Sequence, residues 1–367
     1  MVRFGFLVGF VMMAPAFLCA APPPAYASKR FEANVAGKTW LLLLEKRRNE
    51  LSGFCHDPER DKVLALRGMM LDEAGRLELS EMRDKDQGGS PFSFTGVWTD
   101  HSLQGIVGVH AQHQTPPFTW REVNAEGSAE MEVITVAADS VREFNDRRIG
   151  KEIKCHYLQV LGDDSARKRI SGELRLLAYN AGLVEKSGRI KIIPTIKDVE
   201  ARIWQQLEET EVEWKDGYLD QFDYDQEVVW NNKNLLCVRE SNYTYSGGAH
   251  GYHSYRFHVF SLVSGEKLTL NDLCKPGYQK PFVAWGRADL LRQAGCRPDQ
   301  PLDEAGLDKD ELVLNQNWWI DAKGLGFNYA PYEVACYARG MVEFQISWDQ
   351  LQPWINPNAA LSPFIKK

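Results

Sequence analysis

Between residues 38 and 123 the chain passes through seven short β-rich segments separated by turn residues, and none of this stretch carries a helical period. The segments are 39–45, 51–55, 63–70, 76–82, 92–99, 104–110 and 118–123. In the fourth, Leu77 and Leu79 alternate with Arg76, Glu78 and Ser80, which puts one face in a core and the other in water. Gly68, Gly75, Gly96, Gly105 and Gly108 fall near segment ends or break the segments, where a small curved sheet needs bends or bulges. So many short strands leave exposed edges unless the sheet closes or doubles, and the expected form is an antiparallel β barrel or sandwich.

Residues 125–129 form a short polar linker, after which the pattern becomes mixed, so the expected division is a β-rich domain over 28–124 and an α+β domain over 130–367. Strands are expected at 131–137 and 153–161. A helix follows Asp163-Asp164-Ser165, with Ile170, Leu174 and Leu177 on one face, and a second follows Thr195, with Val199, Ile203 and Leu207 repeating and Asp198 placed as a capping acid. A long hairpin is expected over 221–245, turning at Asn231-Asn232-Lys233-Asn234, with Phe222, Tyr224, Val228 and Trp230 on one face and Asp223, Asp225 and Glu227 on the other. A strand at 255–262, a helix at 281–294 and strands at 318–321, 325–329 and 341–348 complete a mainly antiparallel sheet with about three helices. The fold class is α+β.

The 367 residues are 44% hydrophobic and 25% charged, which excludes disordered, collagen-like and coiled-coil classes. A formal charge of −7 argues against a dedicated nucleic-acid binder and favours a cationic or neutral partner. The acidity belongs to the second half: residues 28–122 carry 13 bases and 14 acids, residues 123–367 carry 29 and 36.

Arg3, the apolar run from Phe4 to Leu18 and Ala25-Tyr26-Ala27 follow the pattern of a signal peptide over 1–27, cut after Ala27. Leu18 before Cys19 is unsuited to lipid anchoring, and no later stretch is long enough for a membrane span. The expected location is periplasmic or secreted. The six cysteines that remain, at 55, 155, 237, 274, 296 and 336, are an even number in an oxidising compartment, where disulfides are the default. Cys274 and Cys296 bracket a helix and are expected to pair, with Cys237 reaching Cys336.

Three features carry chemistry. The segment from Tyr243 to His253 holds Gly247-Gly248 between aromatic strands, where successive backbone N–H groups can form an anion-binding nest beside His250. It is no phosphate loop, because no Lys-Ser or Lys-Thr follows, and Ser246 lies in no nucleophile elbow. His253 and His258 point to opposite faces of a regular strand, so neither metal nor cofactor is expected. Second, nine acids against the single base Lys215 lie between Glu208 and Glu227, either a solvated face or a patch that steers a cationic partner. Third, the segment from Phe327 to Gly340 is a polar, aromatic loop in which Tyr332 and Glu333 either bind a ligand or satisfy buried backbone groups.

The run from Tyr243 to Gly251, the stretch Ser264-Gly265-Glu266-Lys267-Leu268-Thr269-Leu270-Asn271-Asp272-Leu273 and the segment from Phe327 to Gly340, in that order, resemble the extracytoplasmic domain shared by RsiV-type lysozyme-sensing anti-sigma factors and the non-catalytic region of PdaC-type peptidoglycan deacetylases. The resemblance spans about residues 130–355, and the first region is similar to the small β-rich module that sometimes precedes this domain. It implies a domain that recognises protein or cell-wall material, lysozyme being the ligand of the anti-sigma branch. No sigma-binding segment, membrane span or deacetylase domain is recognised, so neither full function is expected to transfer. The reading is an exported, non-enzymatic envelope protein that binds a cationic protein such as lysozyme, or peptidoglycan. Asp223, Asp225 and Glu227 would attract the partner and Tyr245, Gly247, Gly248, His250, Tyr332 and Glu333 would form the contact. The alternative is a hydrolase or deacetylase of cell-wall glycans with His250 and Glu333 as acid and base.

Overall fold

The computed structural model describes residues 26–365 apart from 36, 48, 58–61, 73, 82–92, 100–101, 109–117, 124–125, 145–146, 182–191, 209–218 and 309–310. Most of the expected signal peptide and the acids Glu209, Glu211, Glu213 and Asp216 lie outside the described residues. The chain divides after Glu122 into two compact units.

The first unit is a closed barrel: β1 (Tyr26–Val35), β2 (Lys38–Arg47), β3 (Glu50–Asp57), β4 (Lys62–Met70), β5 (Arg76–Glu81), β6 (Ser93–Thr99), β7 (Ser102–Gly108) and β8 (Phe118–Glu122) pair in chain order, and β1 returns to β8. Leu77 and Leu79 point inward as their alternation requires, and Phe31, Phe94, Trp98 and Trp120 fill the interior. Gly96 and Gly105 stand opposite each other, and a Cβ on either would meet the Phe94 ring at under 3 Å, so neither position has room for a side chain. Sequence reasoning missed β1. Its inward apolar residues are Phe31 and Ala33 among Lys29, Arg30, Glu32 and Asn34, and it is recruited by closure, with Phe31 opposite Glu122 and Lys29 Nζ 2.6 Å from Glu122 Oε1.

In the second unit β9 (Met131–Phe144), β10 (Arg147–Val160), β11 (Leu219–Asn232), β12 (Leu235–Tyr245) and β13 (Tyr252–Ser261) form a sheet in the order β13-β12-β11-β10-β9. All pairs are antiparallel except β10 with β11, which are joined by a crossover carrying α1 (Ser165–Asn180) and α2 (Ile196–Glu208). Ile170 and Leu174, Val199 and Ile203 are buried as their spacing predicts. Asp164 caps α1, accepting from Arg167 N, and Thr195 and Asp198 cap α2 reciprocally. The β11–β12 turn places Lys233 and Asn234 at φ 52° and 60°, the left-handed pair that a two-residue hairpin requires.

Three expectations are corrected. The register of β11 shifts at Val229, so Val228 opposes Val238 and Trp230 opposes Cys237; Trp230 therefore leaves the face of Phe222, Tyr224 and Val228 and packs in a different core. The last strands do not complete the first sheet: β14 (Trp318–Ile320), β15 (Gly324–Tyr329) and β16 (Val342–Ser347) form their own, with α4 (Gln279–Gln293) packed on it, while α3 (Leu270–Leu273) and α5 (Trp348–Leu351) are single turns. A large core holding Leu235, Cys237, Phe257, Phe282, Phe327 and Phe344 unites the two sheets. Finally, neither Cys274–Cys296 nor Cys237–Cys336 is bridged. Cys237 and Cys274 are buried apolar core residues, whereas Cys336 is exposed.

Candidate functional site

The glycine loop between β12 and β13 and the loop between β15 and β16 meet. The imidazole of His250 stacks on the ring of Tyr337, with centroids 3.9 Å apart and planes at 16°, and the Tyr337 hydroxyl donates to the Gly251 carbonyl. Tyr332, 67% exposed and held at φ 70°, lies 5.6 Å from Tyr337, centroid to centroid. Gly247 and Gly248 have φ of 86° and 91°, a conformation that Cβ opposes, and the Tyr245 hydroxyl closes the turn by donating to the Gly248 carbonyl. Gly251 is required for a different reason: a Cβ there would fall 2.3 Å from the Tyr243 ring, which packs against His253.

The acidic strand joins this surface. Asp223 stands opposite Tyr243, and Tyr243 opposite His253, so the three share one sheet face and lead from β11 to the glycine loop. Ser246 ties the loop to the start of β11 by donating to Asp220 Oδ1 at 3.0 Å. The carboxylates are interleaved with basic side chains: Asp223 faces Lys154, Asp225 faces His156, and Glu227 pairs with Arg239, which also lies over Tyr255. Asp223 is half-buried with Oδ1 unbonded; burial pushes its carboxyl up, opposed by Lys154 and reinforced by Glu152.

Glu333 has a different place from Tyr332. Its Oε1 accepts from Asn315 Nδ2 at 2.9 Å and its Oε2 from Ala330 N at 3.0 Å. Asn315 also donates to the Asn328 carbonyl. Asn328, fully buried, accepts from Asn317 and donates to Glu343, and Asn317 bonds the backbone of Tyr255 and Phe257. The network fastens the β15–β16 loop to both sheets. Sequence reasoning missed it, although three asparagines and two glutamates flanking short apolar strands are a signal of buried backbone needing partners. It also missed Tyr337, Tyr243 and His253 as parts of the surface.

His258 and Glu240 form a buried pair, Nε2 to Oε2 at 2.8 Å. Burial lowers the His258 pKa against the pull of Glu240. Burial raises the Glu240 carboxyl, but hydrogen bonds from His258 and Asn242 and the Arg256 charge oppose it, and the carboxyl is held below the usual range. The imidazole is thus neutral with its proton on Nε2, which agrees with a bare, buried Nδ1. Among the described residues no three His, Cys, Asp or Glu side chains converge on a metal position, and no helix is long and apolar enough to cross a membrane.

Residues 271–349 match the family DUF3298, protein of unknown function. No curated protein matches the chain. Among solved structures, a DUF3298 member from Bacteroides fragilis is 16% identical with a TM-score of 0.53, covering 66% of this chain and 100% of its own, which shows a shared fold. A DUF3298 protein from Pseudomonas aeruginosa PAO1 is 17% identical with a TM-score of 0.46, covering 65% and 97%. The matched segment supplies α4, the three-stranded sheet and the loop bearing Tyr332 and Tyr337.

Proposed function

We propose that this chain is an exported, non-enzymatic binding protein of the cell envelope that recognises a lysozyme-like protein or peptidoglycan. The observation that carries the reading is the stack of His250 on Tyr337, which makes one surface of two loops that the resemblance to lysozyme-sensing domains singles out. Exposed tyrosines on a hydrogen-bonded frame supply large, rigid contact area, the kind that dominates binding energy in protein interfaces. The neighbouring carboxylates Asp223, Asp225 and Glu227, set among basic side chains, would act chiefly on the rate of encounter with a basic partner.

The hydrolase reading gains no support, because Glu333 already accepts two internal hydrogen bonds and the imidazole of His250 is stacked on Tyr337. The test is association of the full chain with c-type lysozyme at low and high salt, with soluble peptidoglycan fragments as a parallel arm. Reversing Asp223 and Asp225 to lysine slows association with lysozyme at low salt and flattens its salt dependence. Absence of binding to both ligands overturns the reading.

A further inference from the structure

The two edges of the five-stranded sheet differ. On β13 the outward backbone groups are occupied: Ser261 N donates to the Glu266 carbonyl at 2.9 Å, the Val259 carbonyl accepts from Leu268 N at 2.7 Å, and Asn317 accepts from Phe257 N on Oδ1 and donates through Nδ2 to the Tyr255 carbonyl. β9 forms the other edge, and among the described residues nothing pairs with its outer side. A row of open N–H and C=O groups is a template for another strand, which proteins block with short strands, bulges, proline or lysine. β9 carries none of these devices. It runs for 14 residues, Met131–Phe144, without proline, glycine or lysine, and pairs with β10 residue for residue with no shift in register.

The sequence of β9 complements itself. When two copies of one strand pair antiparallel, the two-fold axis stands perpendicular to the sheet, passes through a residue position and brings same-face residues together. With the axis at Ala137, Glu132 stands opposite Arg142 of the second copy, Val133 opposite Val141 of the second copy and Thr135 opposite Asp139 of the second copy. Moving the axis by one residue in either direction parts the opposite charges and sets Val133 against Asp139 or Glu143. Ala137 itself is exposed and small, so the strands meet at the axis without bulk. The same axis keeps both copies of α2 on one face, because Val136 and Ala138 share a core with Val199 and Ile203 of α2 in each.

We propose that β9 pairs antiparallel with β9 of a second copy, with Ala137 at the axis, joining the two sheets into one continuous sheet. The interface uses none of the residues of the loop surface and does not rest on the proposed function.

The test is sedimentation equilibrium of the full chain over a range of concentrations. The expected result is a dimer with a dissociation constant tighter than about 100 μM. Ala137→Glu adds a carboxylate that faces Lys154 within the chain but its own copy across the axis; it weakens the dimer by about tenfold while thermal unfolding shows the fold retained. Arg142→Glu sets glutamates opposite each other twice and weakens the dimer to a similar degree, and adding Glu132→Arg to it restores the wild-type constant. The charge exchange keeps the test valid if Ala137→Glu does not fold. A chain that stays monomeric overturns the proposal, and so does a dimer that Ala137→Glu and Arg142→Glu leave intact. A loss in Arg142→Glu that Glu132→Arg does not restore overturns the register at Ala137.

Discussion

His250 and Tyr337 lie face to face, 3.9 Å between ring centroids, although 87 positions separate them in the chain. The contact makes the glycine loop and the β15–β16 loop one object, and the Tyr337 hydroxyl on Gly251 fixes its register. Replacing Tyr337 by alanine removes a partly exposed ring and one hydrogen bond. The expected result is a loss of at least tenfold in affinity for the loop ligand, about 1.4 kcal/mol, with the folded state retained. Calorimetry and thermal unfolding on the same variant separate the two effects.

Gly248 is the position at which a side chain meets open space but not an allowed backbone: nothing lies within 4 Å of a Cβ there, yet φ is 91°. Gly248→Ala is expected to cost about 1–2 kcal/mol through conformation alone. Urea unfolding reads it, and an unchanged stability would mean that the loop is not held in this form.

Glu333 acts through the loop it pins. Glu333→Gln places an amide nitrogen near either the Asn315 amide or the Ala330 N–H, donor against donor, and is expected to destabilise the second unit by about 1–3 kcal/mol. It also weakens ligand binding by moving Tyr332. A hydrolase would instead keep its stability and lose turnover, so denaturation and peptidoglycan assays together distinguish the roles.

The Glu240–His258 pair makes the fold acid-sensitive. Both folded pKa values are depressed, so the unfolded chain binds more protons in the windows below the ordinary values of His, about 6.5, and Glu, about 4.3. Stability is full above pH 6.5 and falls as pH drops through the histidine window, then further through the glutamate window. His258→Gln retains an N–H for Glu240 and cannot titrate; unfolding measured from pH 7 to pH 5 is expected to show a shallower slope, smaller by at most about 1.4 kcal/mol per pH unit.

The cysteines report on the core. Burial pushes the Cys237 and Cys274 thiols up to about 12, while Cys336 is exposed. Alkylation of the native chain followed by mass spectrometry is expected to mark Cys336 first and to leave Cys55, Cys155, Cys237 and Cys274 untouched until denaturant is added. A bridged pair would contradict this packing.

Much of the fold is legible where one residue's environment is decided by its neighbours in sequence. Leu77 and Leu79, the Thr195–Asp198 cap and the Lys233-Asn234 turn are local devices, and each is where its pattern puts it. What alternation and spacing do not carry is closure. β1 is polar and becomes a strand because the barrel needs an eighth edge, and the register shift at Val229 reverses the face of Trp230 without any mark in the sequence. At the site, the sequence marks both loops, but the meeting of His250 with Tyr337 is decided by how two sheets share a core. The same holds for Glu333, whose side-chain partner Asn315 precedes β14 rather than lying beside it in the chain.

The most direct measurement is calorimetric titration of the full chain and of Tyr337→Ala with c-type lysozyme at two salt concentrations. The account predicts salt-sensitive binding by the wild type and at least a tenfold loss in the variant. Wild-type binding that the variant retains in full would contradict a recognition surface built on the His250–Tyr337 contact, and absence of wild-type binding would contradict lysozyme as its ligand.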